Sequence, residues 1–177
     1  MDGPFDDEGD QLVALSNAFL AALQARESGQ VDAAEAALRK IVAAEPRIAE
    51  PHLELARVLL DTDRIEEAEG HAREGLDRLA DTGPWLEDVE PHQIQALAHA
   101  LLAEILRRRI DDDDLVFGDP AVYRSTLAEA RHHFEVAARL DPTDEHASWH
   151  AFFLGKDEQG RPMRLADGIT DGPESEN

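Results

Sequence analysis

Two stretches of equal length decide the fold: residues 15–46, LSNAFLAALQARESGQVDAAEAALRKIVAAEP, and residues 49–80, AEPHLELARVLLDTDRIEEAEGHAREGLDRLA. Laid over one another at an offset of 34, they pair Ala21 with Leu55, Ala22 with Ala56, Ala25 with Leu59 and Ala34 with Ala68. The same offset pairs Leu38 with Ala72, Ile41 with Gly75 and Val42 with Leu76. Self-similarity at this period marks a stacked helix–turn–helix array, in which one hairpin cannot bury its apolar face alone and neighbours bury it together.

Each copy carries its own punctuation. In the first, Asp10 is a candidate N-cap for a helix with Leu12, Leu15, Phe19, Leu20 and Leu23 on one side. Gly29 closes it, since glycine accepts the left-handed conformation at a helix end. Asp32 and Glu35 read as a capping-box variant opening a second helix, which runs to about Ala44 and stops at Pro46. The second copy opens at Glu50-Pro51, with proline in a first turn where its missing N–H costs nothing. Its inner helix uses Leu53, Leu55, Ala56, Leu59 and Leu60. The turn Asp61-Thr62-Asp63-Arg64 replaces the glycine, and an outer helix follows from Ile65 to about Leu79.

With its small residues on the first helix, Gly29, then Ala34, Leu38 and Ile41 before Pro46, the pattern resembles a tetratricopeptide repeat. The resemblance implies an all-α, right-handed superhelical solenoid. Three helix–turn–helix hairpins and a C-terminal capping helix account for the chain. A third inner helix is expected from Pro91 to Ile110, where Ile94, Leu97, Ala98, Leu101, Leu102, Ile105 and Leu106 alternate by three and four. Leu102-Ala103 aligns with Leu55-Ala56; a competing register matches Glu90-Pro91-His92 to Glu50-Pro51-His52. The third turn is expanded by an insertion at 111–119. Asp119-Pro120 then starts a helix reaching Leu140, with Ala130, Phe134 and Ala137 before Pro142.

The expected organisation is therefore a disordered acidic tail at 1–9, a repeat domain at 10–154 and a C-terminal tail at 155–177. Hairpins are placed at about 11–46, 49–80 and 91–142, with a cap helix at 145–154 behind the N-cap candidate Asp144. Between the second and third hairpins lies a long linker holding Gly83-Pro84-Trp85, and Trp85 is expected to pack over the solenoid.

The formal net charge of −22 bounds the partners. Such a field repels a phosphate backbone, so nucleic acid is not expected, and it favours solubility and basic partners. There is no cysteine, hence neither a disulfide nor a thiolate metal site. No apolar run approaches the roughly 20 residues that span a bilayer, and the N-terminus is acidic where a secretory signal is basic. Membrane insertion is not expected, and a cytoplasmic location is the default.

Nothing in the sequence forms a catalytic constellation: there is no phosphate-binding glycine loop, nucleophile elbow or HExxH. An enzyme is not expected, and no cofactor is implied. Asp111–Asp114 lacks the alternation of a calcium loop and reads as a solvated acidic loop. His146 and His150 have the spacing of a two-histidine metal site, but no third ligand is identifiable and Trp149 beside them points to a packing face. No metal is expected. His132 and His133 read as surface residues, and His52, His71, His92 and His99 show no usable mutual spacing.

In the family that the chain resembles, inner helices line a concave groove for a peptide or a partner's helix. The repeat register assigns Phe19, Leu20, Leu23 and Arg26 to it from the first hairpin, and Leu53, Arg57 and Leu60 from the second. The third contributes Leu97, Leu101, Arg107 and Arg108. Members that clamp the C-terminal carboxylate of chaperones carry a lysine and an asparagine where Phe19 and Leu23 stand, so that clamp is not expected. The expected groove is a largely apolar strip with arginines along one side, suited to an amphipathic helix or an apolar peptide of some acidic character. The leading function is a protein–protein interaction module, an adaptor or scaffold. The alternatives are a homo-oligomer formed through the groove or the C-terminal aromatic helix, and a small acidic holding chaperone.

Overall fold

The computed structural model describes residues 6–86 and 89–154. Eight helices account for nearly all of them: α1 Asp6–Glu27, α2 Val31–Ala44, α3 Ala49–Asp61 and α4 Ile65–Thr82, then α5 Pro91–Ile110, α6 Asp113–Val116, α7 Pro120–Leu140 and α8 Glu145–Phe153. They pack in antiparallel pairs, α1 on α2, α3 on α4 and α5 on α7, with α2 on α3 and α4 on α5 joining the pairs and α8 on α7.

The outer helices repeat one set of contacts. Ala34, Ala68 and Ala130 are fully buried, as are Leu38, Ala72 and Phe134 one turn later; Ile41, Gly75 and Ala137 follow. Small residues at these crossings let the helix backbones approach. At Gly75 the approach is closest: a Cβ built there would lie 2.6 Å from Leu53 Cδ2. On the inner helices Ala22, Ala56 and Ala103 are equally buried. Leu55-Ala56 and Leu102-Ala103 are all buried, whereas Glu90, Pro91 and His92 are exposed where Glu50, Pro51 and His52 are not. That selects the first of the two registers for α5, which is 20 residues long against 13 for α3. On α1 the counterparts Ala21 and Ala25 stay exposed and half-buried, because among the described residues no helix packs on that side.

The turns repeat too. Gly29 (φ 75°) and Asp63 (φ 60°), 34 residues apart, are both left-handed. In each turn the following N–H closes a six-residue loop, Gln30 to Ala25 O at 2.8 Å and Arg64 to Leu59 O at 2.9 Å. Asp119 and Asp144 cap α7 and α8 through Ala121 N and Ala147 N. Two expected caps are replaced. Residues 6–9 are helical, so Asp10 lies inside α1 rather than before it. Asp32 lies in the first turn of α2, and its partner Glu35 instead pairs with Arg39 (2.8 Å) and with Arg64. Residues 1–5 and the tail at 155–177 lie outside the described residues.

The linker folds back as expected of Trp85, whose ring centroid stands 5.9 Å from that of Phe19. Glu50, 4% exposed, accepts hydrogen bonds on Oε1 from the N–H groups of Trp85 (2.6 Å) and Leu86 (2.9 Å). A buried carboxylate thus satisfies two backbone donors in a segment without helix of its own. Ion pairs join α4 to three other helices: Arg39 of α2 to Glu67 at 2.7 Å, Arg109 of α5 to Glu69 at 2.8 Å, and Arg73 to Glu129 of α7 at 2.6 Å.

Candidate functional site

The residues assigned to the groove divide by burial. Phe19 (2%), Leu53 (8%), Leu60 (9%) and Leu101 (7%) are core residues, and Leu23 is half-buried against the same core. Phe19 lies under Trp85, so the α4–α5 linker covers this part of the face. Leu53 is the side chain against Gly75, facing the outer helix of its own hairpin. The apolar members left in solvent are Leu20, on α1, and Leu97, on α5.

Charge dominates what remains. Arg26, in the last turn of α1, approaches Glu54 of α3 at 3.3 Å, and Arg57 approaches the same carboxylate at 3.8 Å. These pairs lack hydrogen-bond geometry: Arg26 Nε, Glu54 Oε2 and Arg57 Nε are buried atoms without hydrogen-bond partners among the described residues. On α5, Arg107 grips Glu104 through Nε (2.8 Å) and Nη2 (2.6 Å) and reaches Asp111 at 3.3 Å. Burial pushes the Glu104 carboxyl up, but the Arg107 hydrogen bonds and the charges of Arg107 and His146 outweigh it and hold it below its ordinary value. Arg108, half exposed, reaches Glu104 at 3.7 Å and lines an open cleft of about 580 Å³ with Arg64 and with the acidic residues of the α3–α4 turn and Asp111 and Asp112. Arg26, Arg107 and Arg108 sit in the last turns of α1 and α5, where the helix dipole favours cations. The accessible face is a ladder of arginines and carboxylates rather than the largely apolar strip expected.

Around α8 the structure departs further from expectation. Its buried side is Ala147, packed with Ala103, Phe134 and Ala137. Trp149 is 55% exposed, so it is no packing face; its ring is tilted at 35° against Phe153 of its own helix, with centroids 4.4 Å apart. The His150 ring lies flat on Phe134 (4.8 Å, 18°), and burial lowers its pKa. Glu104, from α5, comes to both histidines: one ligand atom from each of Glu104, His146 and His150 can be chosen with all three within 4.8 Å. This is the third ligand that spacing along one helix could not show.

Four of the other histidines pair within hairpins. His52 and His71 join α3 to α4, and His99 and His133 join α5 to α7. His133 is therefore a partly buried residue between α5 and α7 rather than a surface one, its side chain 13% exposed. The repeat register is the signal that finds them: His52 and His99 hold one position relative to Leu55 and Leu102, and His71 and His133 hold one relative to Ala68 and Ala130.

Residues 25–86 match the family model of the tetratricopeptide repeat. Those residues belong to the tetratricopeptide repeat family. Similar solved structures extend the likeness beyond that segment. The Arabidopsis OM64 TPR domain superposes with a TM-score of 0.60 at 12% identity, covering 81% of this chain and 95% of that one. The first TPR of Spaghetti (RPAP3), bound to the HSP90 peptide SRMEEVD, gives 0.58 at 12% identity, covering 79% and 89%. The second TPR domain of human RPAP3, in complex with the HSP70 peptide SGPTIEEVD, gives 0.55 at 15% identity, covering 84% and 98%. At these identities the likeness is one of fold. No curated protein matches in sequence. Among the described residues no helix is long and apolar enough to cross a membrane.

Proposed function

We propose that the chain is a non-enzymatic protein–protein interaction module that holds a peptide or short helix of a partner protein along its inner face. The supporting observation is the Arg26–Glu54–Arg57 cluster. The two Nε atoms are buried against Glu54 without hydrogen-bond geometry, while the Arg26 and Arg57 side chains stay 29% and 37% exposed, so both guanidinium groups are loosely held and reach the surface where a ligand can meet them. A partner carboxylate answers the arginines in a charge-assisted, planar geometry. Leu20 and Leu97 offer it apolar contact.

The rest of the chain restricts the choice. A net charge of −22 repels uniformly acidic chains and nucleic acid, which leaves a peptide with an isolated carboxylate among apolar or basic residues. Two similar folds hold peptides ending in Glu-Glu-Val-Asp, so the architecture accommodates such ligands. Here Phe19 is buried under Trp85 and Leu23 is half-buried. Recognition in this chain therefore rests on Arg26 and Arg57 rather than on polar residues at those two positions.

The test is an array of apolar peptides, each carrying one carboxylate, probed with wild type and with Arg57→Glu. Carboxylate-dependent binding that disappears in the folded variant supports the reading. Binding that ignores the substitution removes it. A second reading, a homo-oligomer through α8, is favoured by the exposed rings of Trp149 and Phe153.

A further inference from the structure

We propose that Glu104, His146 and His150 form a binding site for one borderline divalent cation, zinc in the first instance, which fastens α8 to α5. The inference is independent of the peptide-binding reading, since it concerns how the end of the array is held.

The ligand set comes from two elements that the fold brings together. His146 and His150, four apart on α8, project from one side of that helix, and Glu104 faces them from α5. His146 Nε2 already lies 3.6 Å from Glu104 Oε2. The chosen ligand atoms lie within 4.8 Å of one another, and a tetrahedral zinc ion needs them about 3.3 Å apart. Closing that difference is a matter of side-chain rotation, and His146, with 61% of its side chain exposed, is free to turn.

A second observation points to a ligand. His150 Nδ1 is buried and has no hydrogen-bond partner among the described residues, while its ring is held flat against Phe134. Two imidazoles and one carboxylate suit zinc and leave a fourth position for water. Hard cations such as magnesium, which prefer an all-oxygen shell, are poorly served.

Two arginines oppose the cation: Arg108 Nε lies 3.7 Å from Glu104 Oε1, and Arg107 is closer. Its Nε and Nη2 hold both Glu104 oxygens, at 2.8 and 2.6 Å. A carboxylate has about four lone-pair sites, so it can accept from Arg107 and still bind a cation. The outer contact then orients the ligand. Arg107 also has a second anchor, because its Nη1 lies 3.3 Å from Asp111 Oδ2.

The experiment uses the full chain, stripped of metal and titrated with zinc chloride in competition with a chromophoric chelator. One zinc per chain is expected, with affinity falling about tenfold or more in His146→Gln. His92→Gln, an exposed histidine at the start of α5, should bind as wild type does. Cobalt should give a visible absorption band with wild type and none with His146→Gln, and zinc should slow amide hydrogen exchange in α8. His146 is exposed, so its replacement leaves the packing intact, which circular dichroism checks. Absence of saturable binding, or equal affinity in wild type and His146→Gln, overturns the proposal; in the second case the acidic surface would be the binder.

Discussion

His99 and His133 face one another across α5 and α7 with their Nδ1 atoms 2.8 Å apart, and His52 and His71 repeat the arrangement one hairpin earlier at 3.2 Å. Such a contact requires one ring to donate and the other to accept, so protonating both rings breaks it. Burial, then the charges of His99 and His132, push the His133 pKa down to about 4, against some relief from Glu129. Burial lowers His52, His71 and His99 as well. The unfolded chain takes up these protons near pH 6.5, the folded chain takes them up at lower pH, and His133 does so only near 4. Stability is therefore fully present above about pH 6.5 and declines as pH falls towards 4. For His133 alone the loss is about 2–3 kcal/mol. Urea midpoints between pH 7.5 and 5 should fall more steeply in wild type than in His133→Gln. Relief of the −22 net charge acts the other way but is shared by both proteins, so parallel profiles would count against the pairing.

Glu50 anchors the linker through Trp85 N and Leu86 N. Glu50→Ala strips two part-buried donors of their acceptor and should cost about 2–4 kcal/mol. Glu50→Gln retains an accepting oxygen and should cost less. In a Trp149→Phe background the remaining emission is from Trp85, and Glu50→Ala should shift it to the red as the ring leaves Phe19. An unshifted spectrum would place the ring elsewhere.

Ala68 and Gly75 set how closely α3 and α4 approach. Gly75→Ala drives a Cβ into the buried Leu53, and Ala68→Leu overfills a fully buried position. Each should cost about 1–3 kcal/mol in urea denaturation, and unchanged midpoints would mean the crossing is misplaced.

Asp63 adopts the conformation that glycine provides at Gly29. Asp63→Gly should relieve backbone strain and raise stability by as much as about 1 kcal/mol, less the greater entropy of the unfolded glycine. Thermal melts of the two proteins decide this, and a clear loss of stability would show that the Asp63 side chain is needed.

Much of the fold is written in local sequence because close helix crossings demand small residues at fixed positions, and Ala34, Ala68 and Ala130 supply them. The inner face is less legible. An inner helix packs against neighbours on two sides and presents only a narrow strip to the groove. Leu53 and Leu97 look alike by periodicity, yet one faces Gly75 and the other faces solvent. The cover over Phe19 depends on Trp85, far along the chain, which no helical period relates to it. Glu104 stands on α5 and its histidines on α8, so their meeting depends on tertiary packing. The start of α1 at Asp6 was hidden for another reason: Asp6, Asp7 and Glu8 read as a charged tail, although acidic residues favour a helix N-terminus.

The central claim is that the inner face stands open to a partner rather than closed on a second copy of the chain. Light scattering after gel filtration, over a range of concentrations, tests it on wild type and on Leu97→Glu, which alters an exposed inner-face residue without touching the core. The account predicts a 19.5 kDa monomer for both proteins at every concentration. A wild-type dimer that Leu97→Glu converts to a folded monomer would contradict it.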